Sequence, residues 1–188
     1  ADSSAGMAML VTLLSAACGS LAWMTMEWLR HGKPSVLGIV TGMVAGLGTI
    51  TSASGSVGPA GAVIIGLSAG VICYFATITL KNRLGVDDSL DVFPVHGVGG
   101  MLGLLMAGIF CSPSLGLFSG NGFSDGIDGI GGQLGVQLTG IVATFVYTAV
   151  ISWILLRVVN VFVPLRVDQE DETAGLDIVL HDERGYDL

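Results

Sequence analysis

The sequence predicts an all-α membrane protein, a polytopic bundle of about five transmembrane helices. Three observations carry this. The 188-residue chain is 52% hydrophobic and only 12% charged, with a mean hydropathy of +0.79, whereas soluble domains carry about 25% charged residues. Glycine contributes 29 residues, roughly twice its usual share of about 7%, with no three-residue period. Small residues of this kind let membrane helices approach closely. Several apolar runs also approach the ~20 residues that a helix needs to cross a bilayer.

The first run is 7–28, uncharged until Glu27 and closed by Trp28, Arg30, His31 and Lys33. A signal peptide would need a basic start, but the chain opens Ala1-Asp2-Ser3-Ser4. The second, 35–51, follows Pro34, a residue tolerated at a helix start, and is short for a span. A Ser/Gly-rich turn, 52–59, leads to the third run, 60–80, which Lys81 and Arg83 stop. The fourth is 92–110. The loop 111–132 has seven glycines, no base, and Asp125 and Asp128. Their spacing fits no EF-hand, so a solvated loop is expected. The fifth run, 133–163, is ~46 Å long at about 1.5 Å per residue, against a hydrocarbon core of ~30 Å, and is expected to tilt, bend or protrude. Residues 1–164 thus form a transmembrane domain and 165–188 an acidic tail.

Charge is uneven. From Val167 onward there are eight acids and one base, so the tail supplies nearly all of the net −8. Nothing is basic enough for nucleic acid. Cys18, Cys73 and Cys111 have neither metal spacing nor a disulfide pattern, and read as apolar packing. If the five spans alternate, Arg30, Lys33, Lys81, Arg83, Arg157 and Arg166 share one side, which the positive-inside rule makes cytoplasmic. The tail is then cytoplasmic and the start of the chain lies outside.

Projected at about 100° per residue, the fourth span places His96, Gly99, Gly100, Gly103 and Ala107 on one face. The second aligns Gly38, Thr41, Gly42, Ala45 and Thr49, and the third Gly66, Ala69, Gly70 and Cys73. These faces are expected to meet one another. Close packing explains most of the glycines. His96 differs, because an ionisable side chain at membrane depth is costly and marks a functional site. Neutral imidazole donates at one nitrogen and accepts at the other, which suits proton or small polar traffic. Asp87 and Asp88 are expected to cap the fourth helix, with Asp91 bracing its start. Glu27 is expected to be interfacial or paired with Arg30 or Lys33.

The stretch Asp87-Asp-Ser-Leu-Asp-Val-Phe-Pro-Val-His-Gly-Val-Gly-Gly100 resembles the signature of the Amt/Mep ammonium transporters, in the form of the Amt branch. Glu27-Trp28, Gly32-Lys-Pro-Ser35, Gly42-Met-Val-Ala-Gly46, Thr51 and Leu165-Arg-Val167 resemble further family segments. Gly175-Leu-Asp177 with His181, Glu183 and Tyr186 resembles the family's cytoplasmic C-terminal motif. The resemblance covers essentially the whole chain, in order. It implies an eleven-helix fold of two inverted repeats, assembled as a homotrimer with one pore per subunit, in the inner cell membrane. This chain matches the last five helices, which makes it the C-terminal part of a longer or split protein. His96 matches the second of twin pore histidines, with the other in the N-terminal half. Thr41 and Val44 match pore-facing positions and Val92 an apolar pore position. Asp91, Thr51, Gly97, Gly99 and Gly100 match signature positions with a structural role. Pro94 stands where many members have glycine. The implied activity is passage of ammonium or ammonia, without a cofactor. The tail residues Gly175, Asp177, His181 and Tyr186 imply docking of a PII-type signalling protein.

Other function classes remain open. An Amt-like ammonium sensor would pass its signal to a cytoplasmic partner; a chain ending at Leu188 without a kinase or cyclase domain favours transport. A purely structural subunit fits His96 poorly. An enzyme is disfavoured, because no catalytic pair or metal cluster appears.

Overall fold

A computed structural model describes residues 2–185. Helices dominate it, and no strand occurs among the described residues. The chain divides into two compact units, Ala1–Ile141 and Val142–Leu188.

In the first unit, α1 (Ser3–His31) starts at the N-cap Asp2, whose side chain accepts the Ala5 N–H. It runs one turn past Trp28 and stops at Gly32, which takes the left-handed conformation (φ 77°) and donates its N–H to the Trp28 carbonyl. This is the C-terminal stop that glycine allows most readily. Next, α2 (Val36–Thr51) has 16 residues and Ser35 as N-cap. At about 24 Å it is too short to cross a bilayer unaided. Then α3 (Pro59–Ile78) begins with proline and runs into a π-helical turn, Thr79–Arg83. A second π-helical turn, Phe93–Val98, leads into α4 (Gly99–Phe110).

Among the described residues, four helical stretches are long and apolar enough to span a membrane: Ser3–His31, Pro59–Arg83, Phe93–Phe110 and Gly129–Phe162. The last of these is α5 (Gly129–Phe162), 34 residues or about 51 Å in length.

Two apolar clusters hold the first unit together. One joins Val11, Ile50, Ala53, Val57, Ala62, Ile65 and Ala107. The other joins Trp23, Ala45, Cys73, Tyr74 and Val95. Bare backbone brings the helices into range. A Cβ on Gly42 or Gly46 of α2, or on Gly66 or Gly70 of α3, would overlap atoms of α1 between Ser15 and Trp23. These i, i+4 pairs are small-xxx-small seams. The expected meeting of faces holds at Gly99 of α4, where a Cβ would meet Thr49, Cys73 and Ala45, whereas the glycines of α2 and α3 close on α1, around Gly19. The seam also carries a buried hydrogen bond, with Ser15 Oγ donating to the Gly46 carbonyl at 2.9 Å.

The loop after α4 is more ordered than expected. It contains a short 3-10 turn, Gly116–Phe118. It is clasped to the turn between α2 and α3 by Asn121, whose N–H donates to the Ser56 carbonyl (2.9 Å) and whose Nδ2 donates to the Gly55 carbonyl (2.8 Å).

The second unit holds the rest of α5, where the apolar side chains from Val142 to Phe162 are exposed. Two short helices follow, α6 (Gln169–Ala174) and α7 (Leu176–His181), jointed at Gly175 (φ 98°). Arg166 pairs with Glu172 through Nη2, at 3.0 Å and 3.1 Å to the two carboxylate oxygens.

Candidate functional site

The site is built on the π-helical turn Phe93–Val98. The turn has a defined start: both oxygens of Asp88 accept backbone N–H bonds, from Val92 and Phe93, each at 2.8 Å. Asp88 therefore caps this helix, as its position suggested. Asp91 adopts the left-handed conformation at φ 57°, uncommon outside glycine though least costly for Asn and Asp. Its carbonyl accepts the Val95 N–H at 3.0 Å, and its carboxylate lies 2.7 Å from Lys81 Nζ. That approach lies off the hydrogen-bond direction, so the tie is an ion pair. Bracing by Asp91 was expected from the sequence; its partner, on the π-helical turn that ends α3, was not.

Pro94 and Val95 are buried, whereas the His96 imidazole is exposed within this chain. The imidazole therefore lies outside the packed core of this chain. Gly99 and Gly103 face α2: a Cβ on Gly99 would lie 2.9 Å from Thr49 Oγ1, and one on Gly103 would overlap the Thr49 carbonyl. A Cβ on Gly100 would meet nothing within 4 Å. The i→i+5 winding of a π-helix turns fewer degrees per residue than an α-helix. A projection at about 100° per residue across Phe93–Val98 is therefore only approximate for His96 relative to the glycines that follow. Gly97 packs against the ring of Phe93, one turn back in the same segment.

His96 also lies against α2, one residue along from Thr49. Its Nδ1 would lie 3.7 Å from a Cβ on Gly48, and the Val95 carbonyl the same distance away. Gly48 was missed by the sequence analysis, which took Thr49 for the face. Thr41, Val44 and Gly48 follow the i, i+3, i+7 spacing of one helix stripe. Val44 is partly buried against the cluster that includes Val95. The Thr41 hydroxyl donates to the Leu37 carbonyl at 2.9 Å, and the Thr51 hydroxyl to the Leu47 carbonyl at 2.6 Å. Both hydroxyls keep lone pairs to accept further bonds. Val92, one turn before His96, is 53% exposed. The arrangement is one exposed imidazole beside a mostly apolar helix stripe that carries the Thr41 and Thr51 hydroxyls. Among the described residues no group of three or more His, Cys, Asp or Glu could hold a metal ion.

A second polar constellation lies at Glu27, where the expected alternative of a pairing with a base does not occur. Glu27 meets neither Arg30 nor Lys33 among the described residues. Its carboxylate accepts from Ser35 N–H (2.6 Å), Ser35 Oγ (3.2 Å) and Trp23 Nε1 (3.3 Å), and so anchors the start of α2 from α1. His31 meets α3 through its Nε2, 3.2 Å from the Tyr74 hydroxyl, while Arg30 lies over the Phe75 ring at 4.9 Å.

In the tail, Gly175 is the joint between α6 and α7, Asp177 lies in the first turn of α7, and His181 closes it. Tyr186 lies outside the described residues.

Comparison with known proteins places this geometry. Residues 1–186 match the family model described as Ammonium Transporter Family. An ammonium transporter of Aquifex aeolicus is 41% identical over 188 residues, which are all of this chain and 43% of that protein. The crystal structure of Saccharomyces cerevisiae Mep2 superposes with a TM-score of 0.77 at 37% identity, covering 90% of this chain and 39% of that one. A structure named as a sensor Amt protein superposes with a TM-score of 0.82 at 27% identity, covering 96% and 43%. The chain thus spans a little under half the length of the relatives it matches, and it belongs to the ammonium transporter family.

Proposed function

We propose that the complete protein moves ammonium or ammonia across a membrane and that His96 lies on its path. The observation that carries this is the exposed imidazole at Gly48, on the stripe that runs through Val44 and Thr41. A bare cation in an apolar passage is expensive, and neutral ammonia much less so. A neutral imidazole can accept from the passing species at one nitrogen and donate at the other. A second histidine, supplied by the N-terminal half, completes the pair in this reading. The test is ammonium-driven current in proteoliposomes holding the full-length protein. His96→Ala is expected to reduce it strongly while leaving a measurable residue; an unchanged current with unchanged selectivity would remove His96 from the path.

The reading extends to the assembly. The complete protein is a homotrimer in the inner cell membrane, with the six bases from Arg30 to Arg166, and the tail, on the cytoplasmic side. Gly175, Asp177 and His181 then present a docking motif for a PII-type signalling protein. Deleting residues 173–188 is expected to change either basal flux or binding of such a protein; no change in both would leave the tail a solvated appendage.

The likeness to a sensor protein favours a second reading, in which ammonium binding is signalled rather than followed by flux. Wild-type protein that binds ammonium but carries no current would decide for it.

A further inference from the structure

We propose that the Lys81–Asp91 ion pair is a positioning element for His96. The inference rests on the reading of His96 as a residue of the conducting path. The two π-helical turns of the first unit, Thr79–Arg83 and Phe93–Val98, are tied to each other here, with Lys81 Nζ at 2.7 Å from Asp91 Oδ1. Turns of this kind re-aim the side chains that follow them and cluster at functional sites. Asp91 is the hinge of the second turn. It is held at φ 57°, and its carbonyl takes the Val95 N–H at 3.0 Å, directly before His96. A non-glycine residue keeps such a conformation only where its surroundings over-determine it. Capping by Asp88 fixes the amide side of this junction, and the Lys81 ammonium fixes the side chain, which is 18% exposed. With the ammonium removed, Asp91 is free to leave the left-handed region, and Val95 and His96 move with it relative to Gly48.

The experiment is a double-mutant cycle on ammonium flux in the full-length protein in proteoliposomes. Lys81→Met keeps the apolar stem and removes the charge; Lys81→Arg keeps the charge. The expected result is a loss of about tenfold to a hundredfold in maximal flux for Lys81→Met, with Lys81→Arg close to wild type. In a His96→Ala background, Lys81→Met is expected to cause no further loss, because the lysine acts through the imidazole. Asp91→Asn is the second variant should Lys81→Met fail to fold. Asn tolerates the left-handed region as Asp does, so it removes the charge and leaves the backbone preference. Losses that multiply across the two backgrounds, or unchanged flux in Lys81→Met, would overturn the proposal while His96 keeps its role. Unchanged flux in His96→Ala alone would instead sink the pore reading, and the positioning role with it.

Discussion

Glu27 offers a prediction whose sign changes with genetic background. Its carboxylate receives the Ser35 N–H at 2.6 Å, the Ser35 hydroxyl at 3.2 Å and the Trp23 indole N–H at 3.3 Å. Hydrogen bonds to a charged group contribute about 1.5–3 kcal/mol. Only the first of these is short, and the side chain is partly exposed, so solvent competes for it. Glu27→Ala is therefore expected to cost about 2 kcal/mol in all. A Cβ on Gly38 would land on the same carboxylate. That atom is the end of a flexible side chain, so it can move aside, but moving breaks its bond to Ser35. Gly38→Ala should thus destabilise the wild type by about 1 kcal/mol, the lost bonds outweighing the ~0.5–1 kcal/mol that alanine gains over glycine in a helix. With Glu27→Ala already in place there is no carboxylate to displace, and Gly38→Ala should stabilise. Thermal unfolding of the four variants in the full-length protein in detergent gives the cycle. Each kcal/mol shifts the midpoint by about 2–4 °C in chains of 150–250 residues and by less in longer ones. Equal destabilisation by Gly38→Ala in both backgrounds would refute the reasoning, since the added methyl would then be striking something other than Glu27.

Three further outcomes follow from the packing. Gly103→Ala places a methyl on the Thr49 carbonyl, backbone that cannot swing away, and is expected to cost about 1–3 kcal/mol as overpacking, read as a lower melting midpoint. Asp88→Ala removes the acceptor of two amides at 2.8 Å; a loss of about 1–2 kcal/mol is expected, and hydrogen exchange should quicken first at Val92 and Phe93. Tyr74→Phe keeps the edge-to-face contact with Trp23 at 5.5 Å but deletes the hydroxyl 3.2 Å from His31; a cost of about 0.5–1.5 kcal/mol should show in the same melts.

Hydropathy made the fold class legible because a helix in lipid must be apolar along a bilayer's length. Its ends were less legible, because they are set by single hydrogen bonds rather than by composition. Gly32 stops α1 by a left-handed turn, so the helix continues past Trp28. Lys81 and Arg83 end the third apolar run in the sequence, yet the backbone continues through them as a π-helical turn. Nothing in a charge pattern signals an i→i+5 turn. The same limit hid two tertiary partnerships. Lys81 and Asp91 are ten residues apart across a turn, and Glu27 and Ser35 are eight apart across another. Neither separation matches a helical period, the only period along which side chains can be paired from sequence alone.

The glycines show where a sequence-derived face fails and where it holds. Within unbroken α-helix the projection served for Gly66 with Gly70, which lie on one seam, whereas on α2 it took Gly42 without its seam partner Gly46. What sequence could not supply was the partner. A small-residue stripe states that some backbone comes close, not whose, and here it is α1 around Gly19 for both. Across the π-helical turn the projection is only approximate, and His96 lies inside that turn. Gly99 and Gly103 are covered by Thr49, and His96 lies beside the adjacent Gly48. The difference is physical rather than notational. On the face of Gly99 and Gly103, Thr49 of α2 leaves no room for an added Cβ, and an imidazole needs far more. His96 stands beside Gly48, with Nδ1 towards α2, and is exposed. An accessible histidine thus lies three residues before Gly99, the first of the two glycines packed on Thr49.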